Sequence, residues 1–118
     1  MKVAAIYARV SSERQKEEKT IASQTEALLE FARQGHYSVP SEWIFEDEGY
    51  SGSILARPGL DKLRDLASEG QTEVILVYSP DRLSRKYAYQ VLLIEEFARC
   101  GVDVLFIKSP RANTPEEE

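Results

Sequence analysis

An arginine and a serine two residues apart, Arg9 and Ser11, follow the apolar run Val3-Ala4-Ala5-Ile6, within Tyr7-Ala8-Arg9-Val10-Ser11-Ser12-Glu13-Arg14-Gln15. Far along the chain a second polar group, Ser79-Pro80-Asp81-Arg82-Leu83-Ser84-Arg85, closes another apolar run, Val74-Ile75-Leu76-Val77-Tyr78. If the first run is a strand, alternation puts Arg9 and Ser11 on one face and Val10 on the other. Three guanidiniums around one hydroxyl suit a phosphate or phosphodiester, because the planar fork of arginine pairs with two phosphoryl oxygens at once. Arg82 and Arg85, three apart, share a face if their turn is helical. Plainer readings stand beside this one. Ser12-x-x-Gln15 fits a capping box and needs no chemistry, and an Arg-Asp pair on a surface is worth little.

The elements that must position these groups follow from apolar spacing. Thr20 is suited to cap a helix running to about Gln34 and ended by Gly35, with Ile21, Leu28, Leu29 and Ala32 as its stripe. Gln24 falls on that inward face, where its amide either pairs with backbone or lines the site at the sheet edge. Trp43-Ile44-Phe45 opens a second strand that ends in Glu46-Asp47-Glu48. Adjacent acids on a strand alternate faces and do not converge on a metal. A solvated strand end suits them, with Asp47 the candidate exception. Gly49-Tyr50-Ser51-Gly52-Ser53 is a flexible segment, and Arg57-Pro58-Gly59-Leu60 opens a helix carrying Leu60, Leu63, Leu66 and Ala67 inward and closed by Gly70. After the third strand, Val74 to Tyr78, a helix from about Lys86 to Cys100 is expected with Tyr87, Val91, Ile94 and Ala98 inward. Val102 to Ile107 is a fourth strand. The alternation β-α-β-α-β-α-β predicts an α/β fold with three α/β/α layers and a mainly parallel sheet of four to five strands. In such sheets ligands bind beyond the carboxyl ends of the strands, where both polar groups lie.

At 118 residues, 42% hydrophobic and 30% charged, the chain has the length and composition of one globular domain. Its net charge of −5, from 15 basic and 20 acidic residues, argues against strong nonspecific binding of nucleic acid by this stretch alone. Any polyanion site is therefore local. No apolar run approaches a membrane span and no signal-peptide pattern opens the chain, so a cytoplasmic location without a membrane partner is the expectation. Cys100 stands alone, and His36 has no neighbouring ligand and reads as surface.

Several phosphate chemistries lack their motifs: there is no Gly-x-x-x-x-Gly-Lys loop, no Gly-x-Gly-x-x-Gly, no cysteine phosphatase loop and no His or Cys cluster at metal-ligand spacing. No cofactor is expected. The chemistry left is serine attacking phosphorus while arginines stabilise the charge. An obvious general base for Ser11 is missing.

The segments Tyr-Ala-Arg-Val-Ser-Ser-x-x-Gln, Ala22-Ser23-Gln24, Asp47-x-Gly-Tyr-Ser-Gly52, Arg57-Pro58-Gly59-Leu60 and Asp81-Arg82-Leu83-Ser84-Arg85 together resemble the serine recombinases. These are the resolvases, invertases and large serine integrases or transposases, and the likeness spans most of the chain in order. The Gly-Tyr-Ser-Gly and Arg-Pro-Gly-Leu wording looks more like the large recombinases than the small resolvases. The resemblance implies a resolvase-like catalytic domain over residues 1–118. Ser11 would attack the DNA backbone and become joined to a 5′ phosphate, releasing a 3′ hydroxyl, with rejoining after strand exchange and without ATP. It also implies that Arg9, Arg82 and Arg85 hold the scissile phosphate, that Gln24 and Asp81 belong to the catalytic group, and that Asp47, Ser51 and Arg57 support it or bind phosphate. The implied partners, in a full-length protein, are double-stranded DNA and further copies in a homodimer or tetramer. Family members continue into a dimerising helix and a DNA-binding domain, which are expected outside these residues. The alternative is a non-catalytic anion-binding or protein-interaction module that keeps the fold. Catalysis requires Ser11 open to an anion held by the arginines, and a binding relic does not.

Overall fold

The structure, a computed structural model, describes residues 1–11 and 20–108. The Ser12-x-x-Gln15 capping box and the residues from Ser109 onward lie outside them.

The first strand, β1 (Ala4–Val10), is buried at all seven positions. Both of its faces are covered by helices, which is why its sequence is mostly apolar without alternation. β2 (Ile44–Glu48) lies on one side and β3 (Val74–Val77) on the other, with β4 (Asp103–Phe106) beyond β3, giving the order β2-β1-β3-β4. Every pairing is parallel, and the register sets Arg9 opposite Asp47 and Tyr7 opposite Val77. The expected parallel sheet is thus present with four strands. Trp43 belongs to a 3-10 turn (Ser41–Trp43) preceding β2 rather than to the strand itself.

Helix α1 (Ile21–Gln34) covers one face, where Leu28 and Ala32 pack against Ala4, Ile6, Val74 and Leu76. The Thr20 side chain caps it by accepting from the Ser23 N–H at 3.1 Å. Gly35 ends the helix, but the left-handed residue is His36 (φ 62°), which is exposed. Helices α2 (Pro58–Ser68) and α4 (Tyr87–Arg99) cover the other face, and Leu60, Leu63, Leu66 and Ala67 of α2 are buried as their spacing predicts. A single turn, α3 (Pro80–Leu83), joins β3 to the segment before α4.

Beyond Leu29 of α1, which is 40% exposed rather than part of the buried stripe, two sequence expectations are corrected. The inward residues of α4 are Leu93 and Phe97, whereas Tyr87 is 76% exposed, Ile94 37%, Ala98 is exposed and Val91 only half-buried. This helix is apolar nearly all round, so periodicity did not single out its buried side. The side is fixed by docking against α2, where Arg64 forks onto both carboxylate oxygens of Glu96 at 2.8 Å. Second, Arg82 and Arg85 do not share a helical face. The helix stops at Leu83 and Ser84 is extended (φ −164°, ψ 146°), leaving Arg82 buried and Arg85 exposed.

Candidate active site

Tyr7 and Arg9 project from the face of β1 that meets α2 and α4, and each ends in a different network. The Tyr7 hydroxyl donates to Asp47 Oδ2 at 2.7 Å and accepts from Arg57 Nη1 at 3.0 Å. Asp47 also takes the first N–H groups of α2, Gly59 at Oδ1 (2.7 Å) and Leu60 at Oδ2 (2.9 Å). Its carboxylate therefore caps a helix that has no cap of its own, in a position the helix dipole favours. Position 59 must be glycine for this approach, since a Cβ there would lie 2.9 Å from Oδ1. Burial, more than any charge, raises the pKa of Tyr7 far above its ordinary 10.0. Arg57 opposes the rise and Asp47 adds to it. Arg57 is fully buried, its Nε donates to the Ile54 carbonyl at 2.7 Å, and its Nη2 has no hydrogen-bond partner among the described residues.

Arg9, also fully buried, spreads its guanidinium over backbone. Nε donates to the Arg82 carbonyl (3.1 Å), Nη1 to Tyr50 (3.0 Å) and Nη2 to Asp81 (2.7 Å). One side chain thus ties the loop after β2 to the turn after β3. Its own backbone is satisfied by Gln24, whose Nε2 donates to the Arg9 carbonyl (3.0 Å) and whose Oε1 accepts from the Arg9 N–H (3.3 Å). The reason lies in the register. Pairing between β1 and β3 ends at Tyr7–Val77, so the next backbone groups on that edge need another partner. Gln24 thus makes the backbone pairing that was one of its two readings.

The other expected site residues differ in burial. Ser11, directly after β1, is 8% exposed. Arg82 is 6% exposed, with Nε 3.9 Å from Asp81 Oδ2. Asp81 is exposed and accepts from the Ser79 hydroxyl. Ser51 is exposed and hydrogen-bonds within its own loop, to the Ser53 hydroxyl (2.7 Å) and N–H (3.1 Å). Asp47 and Arg57 point inward to Tyr7. Reading the sequence overlooked Tyr7, Gly52 and Ser84. Gly52 is pressed between Arg9 and Arg85: a Cβ would lie 2.7 Å from both Arg9 Nη2 and Arg85 Cγ. A cleft of about 360 Å³ lined by Val10, Thr20, Ile21, Ala22 and Glu48 opens beside the start of α1. It includes Val10, on the face opposite Arg9. Among the described residues no group of acids, histidines and cysteines is placed to hold a metal, and no helix is long and apolar enough to cross a membrane.

Residues 4–118 match the family described as Resolvase, N terminal domain. The chain belongs to that family. A Bacillus subtilis (strain 168) protein named "Putative DNA recombinase" is 40% identical over 113 residues, which cover 95% of this chain and 22% of that protein. The transposon Tn3 resolvase of Escherichia coli is 42% identical over 101 residues, covering 86% of this chain and 48% of the resolvase. This chain thus spans less than half the length of either relative. Among solved structures, the C-terminal catalytic domain of ISC1926 TnpA, an IS607-like serine recombinase, superposes with a TM-score of 0.79 at 32% identity, covering 92% of this chain and 72% of that one. The N-terminal catalytic domain of TP901-1 integrase gives 0.80 at 29% identity, with 90% and 77% covered. The resolvase-like α/β fold expected from the motifs is the fold observed.

Proposed function

We propose that this chain is the catalytic domain of a site-specific DNA recombinase and that Ser11 is its nucleophile. The Ser11 oxygen bonds to phosphorus, the bond from phosphorus to the 3′ oxygen breaks, and the 3′ oxygen leaves as a hydroxyl. The proton lost by Ser11 is balanced by the one the departing 3′ oxygen takes up, with solvent carrying the exchange. One phosphoester replaces another, so the strand can be rejoined by the reverse attack without ATP. Arg82 and Arg85 meet the phosphate, and Arg9 supplies positive charge from beneath while holding both loops. Such a transition state is stabilised by positioning and charge rather than by new covalent chemistry. DNA duplexes and further copies of the protein are the partners, engaged largely through parts beyond these residues, since this stretch carries a net charge of −5.

The observation that carries this reading is the meeting, at the carboxyl ends of β1 and β3, of the strand that leads to Ser11 with the Asp81-Arg82 turn, through Arg9. The experiment is cleavage of a duplex recombination site by the full-length protein, stopped with denaturant. We expect 3′ ends that a polymerase extends and 5′ ends blocked by protein. Free 5′ phosphates would overturn the reading. Site binding with no cleavage would favour the non-catalytic anion-binding module.

A further inference from the structure

Ser84 lies between the two arginines of the β3–α4 connection and is fully buried. Every polar group it owns is committed. Its N–H donates to the Pro80 carbonyl at 3.0 Å, closing α3. Its carbonyl accepts from Gln90 Nε2, on α4, at 2.7 Å. Its hydroxyl donates to the Gly52 carbonyl at 2.8 Å and accepts from the Lys86 N–H at 3.3 Å. The Arg85 N–H donates to that same Gly52 carbonyl at 2.8 Å. Gly52 in turn admits no side chain, because Arg9 and Arg85 close over it. Three separate elements therefore meet at one residue: the loop after β2, the α3 turn and the first turns of α4.

We propose that Ser84 is a positioning residue, which with Gln90 and the Gly52 carbonyl latches Arg82 and Arg85 in register with Arg9. The proposal rests on the recombinase reading above. The physical argument is the exit from α3. A helix continued past Leu83 would carry Arg85 round with it, away from Gly52. The Ser84 hydroxyl rewards the extended backbone instead, because only there does it reach Gly52 and Lys86 together. Latch and chemistry are thereby linked: Ser84 touches no phosphate, yet it fixes where the two flanking guanidiniums start.

A misplacement of about 1 Å costs on the order of 10²-fold in rate when groups must be aligned. Ser84→Ala in the full-length protein should therefore slow covalent protein–DNA adduct formation at saturating DNA by roughly 10–100-fold. The DNA concentration giving half-saturation should stay within about twofold, since phosphate charge is unchanged. Gln90→Ala, which withdraws the second tie, should slow the same step less while sparing half-saturation. In an Arg85→Lys background Ser84→Ala should add little further loss, because the latch acts through the arginine it places. A change confined to half-saturation, or full additivity with Arg85→Lys, would overturn the proposal by making Ser84 a binding or general folding residue. If Ser84→Ala does not fold, Gln90→Ala decides, and its normal rate would overturn the latch. A Ser11-dependent adduct from the wild type, formed equally fast by both variants, would sink this proposal alone. Absence of any Ser11-dependent adduct from the wild type would sink the recombinase reading and the latch with it.

Discussion

Tyr7 and Arg9 leave the same face of the same strand, yet one is the hub of a closed side-chain network and the other grips backbone. Around Tyr7 the phenol bridges a carboxylate and a guanidinium, and the carboxylate caps α2. Around Arg9 the guanidinium donates to three backbone carbonyls, one in the loop after β2 and two in the turn after β3. The first arrangement stabilises. The second brings two loops together at the strand end that leads to Ser11. Asp47 sits opposite Arg9 in register but is drawn to Tyr7 and the α2 terminus, which separates the two networks.

That separation predicts opposite outcomes for charge-conserving and charge-removing changes. The largest effect expected is on chemistry. Arg82→Lys keeps the charge and loses the fork, and should reduce strand cleavage by the full-length protein by roughly 10³-fold or more, with its thermal midpoint nearly unchanged. Near-normal cleavage would return Arg82 to the rank of an ion pair with Asp81. Next comes stability. Asp47→Ala strands Arg57 in the interior and uncaps α2, and should cost about 3–5 kcal/mol in denaturant unfolding. A loss below about 1 kcal/mol would show that the Tyr7 network is dispensable.

The smallest effect separates the hydroxyl from the ring. Tyr7→Phe removes the donor to Asp47 and the acceptor for Arg57, for an expected loss of about 1–3 kcal/mol at neutral pH. It should also change the alkaline limb of stability. The folded phenol titrates above its unfolded value of 10.0, so its contribution is complete below about pH 10 and falls as pH rises beyond it. Wild type should therefore lose stability more steeply than Tyr7→Phe above pH 10. Parallel curves would mean that the phenol is not held in its neutral form by the fold.

Much of this was legible in the residues. Apolar runs gave the four strands, Thr20 and Gly35 bracketed α1, and Asp47 stood out among three acids because its neighbours must face the other way. What stayed hidden depends on distant partners. Arg9 contacts residues 41, 72 and 73 positions away, and no local pattern shows that its guanidinium reaches these carbonyls. The break at Ser84 was concealed because Asp-Arg-x-x-Arg has helical spacing, while the reason for leaving the helix, the Gly52 carbonyl, lies 32 residues back. In α4 the apolar surplus hid the buried side, and Leu93 and Phe97 were chosen by packing against α2.

The central claim is that Ser11, and not its neighbour Ser12, bonds to DNA. The direct measurement is denaturing electrophoresis of the full-length protein with end-labelled duplex, scoring a shifted 5′-linked species that protease removes. Ser11→Ala should bind its DNA site and yield no such species, since the covalent intermediate has lost its oxygen. Ser12→Ala, at most a lost cap costing about 0.5–2 kcal/mol, should still yield it. An adduct from Ser11→Ala, or its disappearance only in Ser12→Ala, would contradict the account.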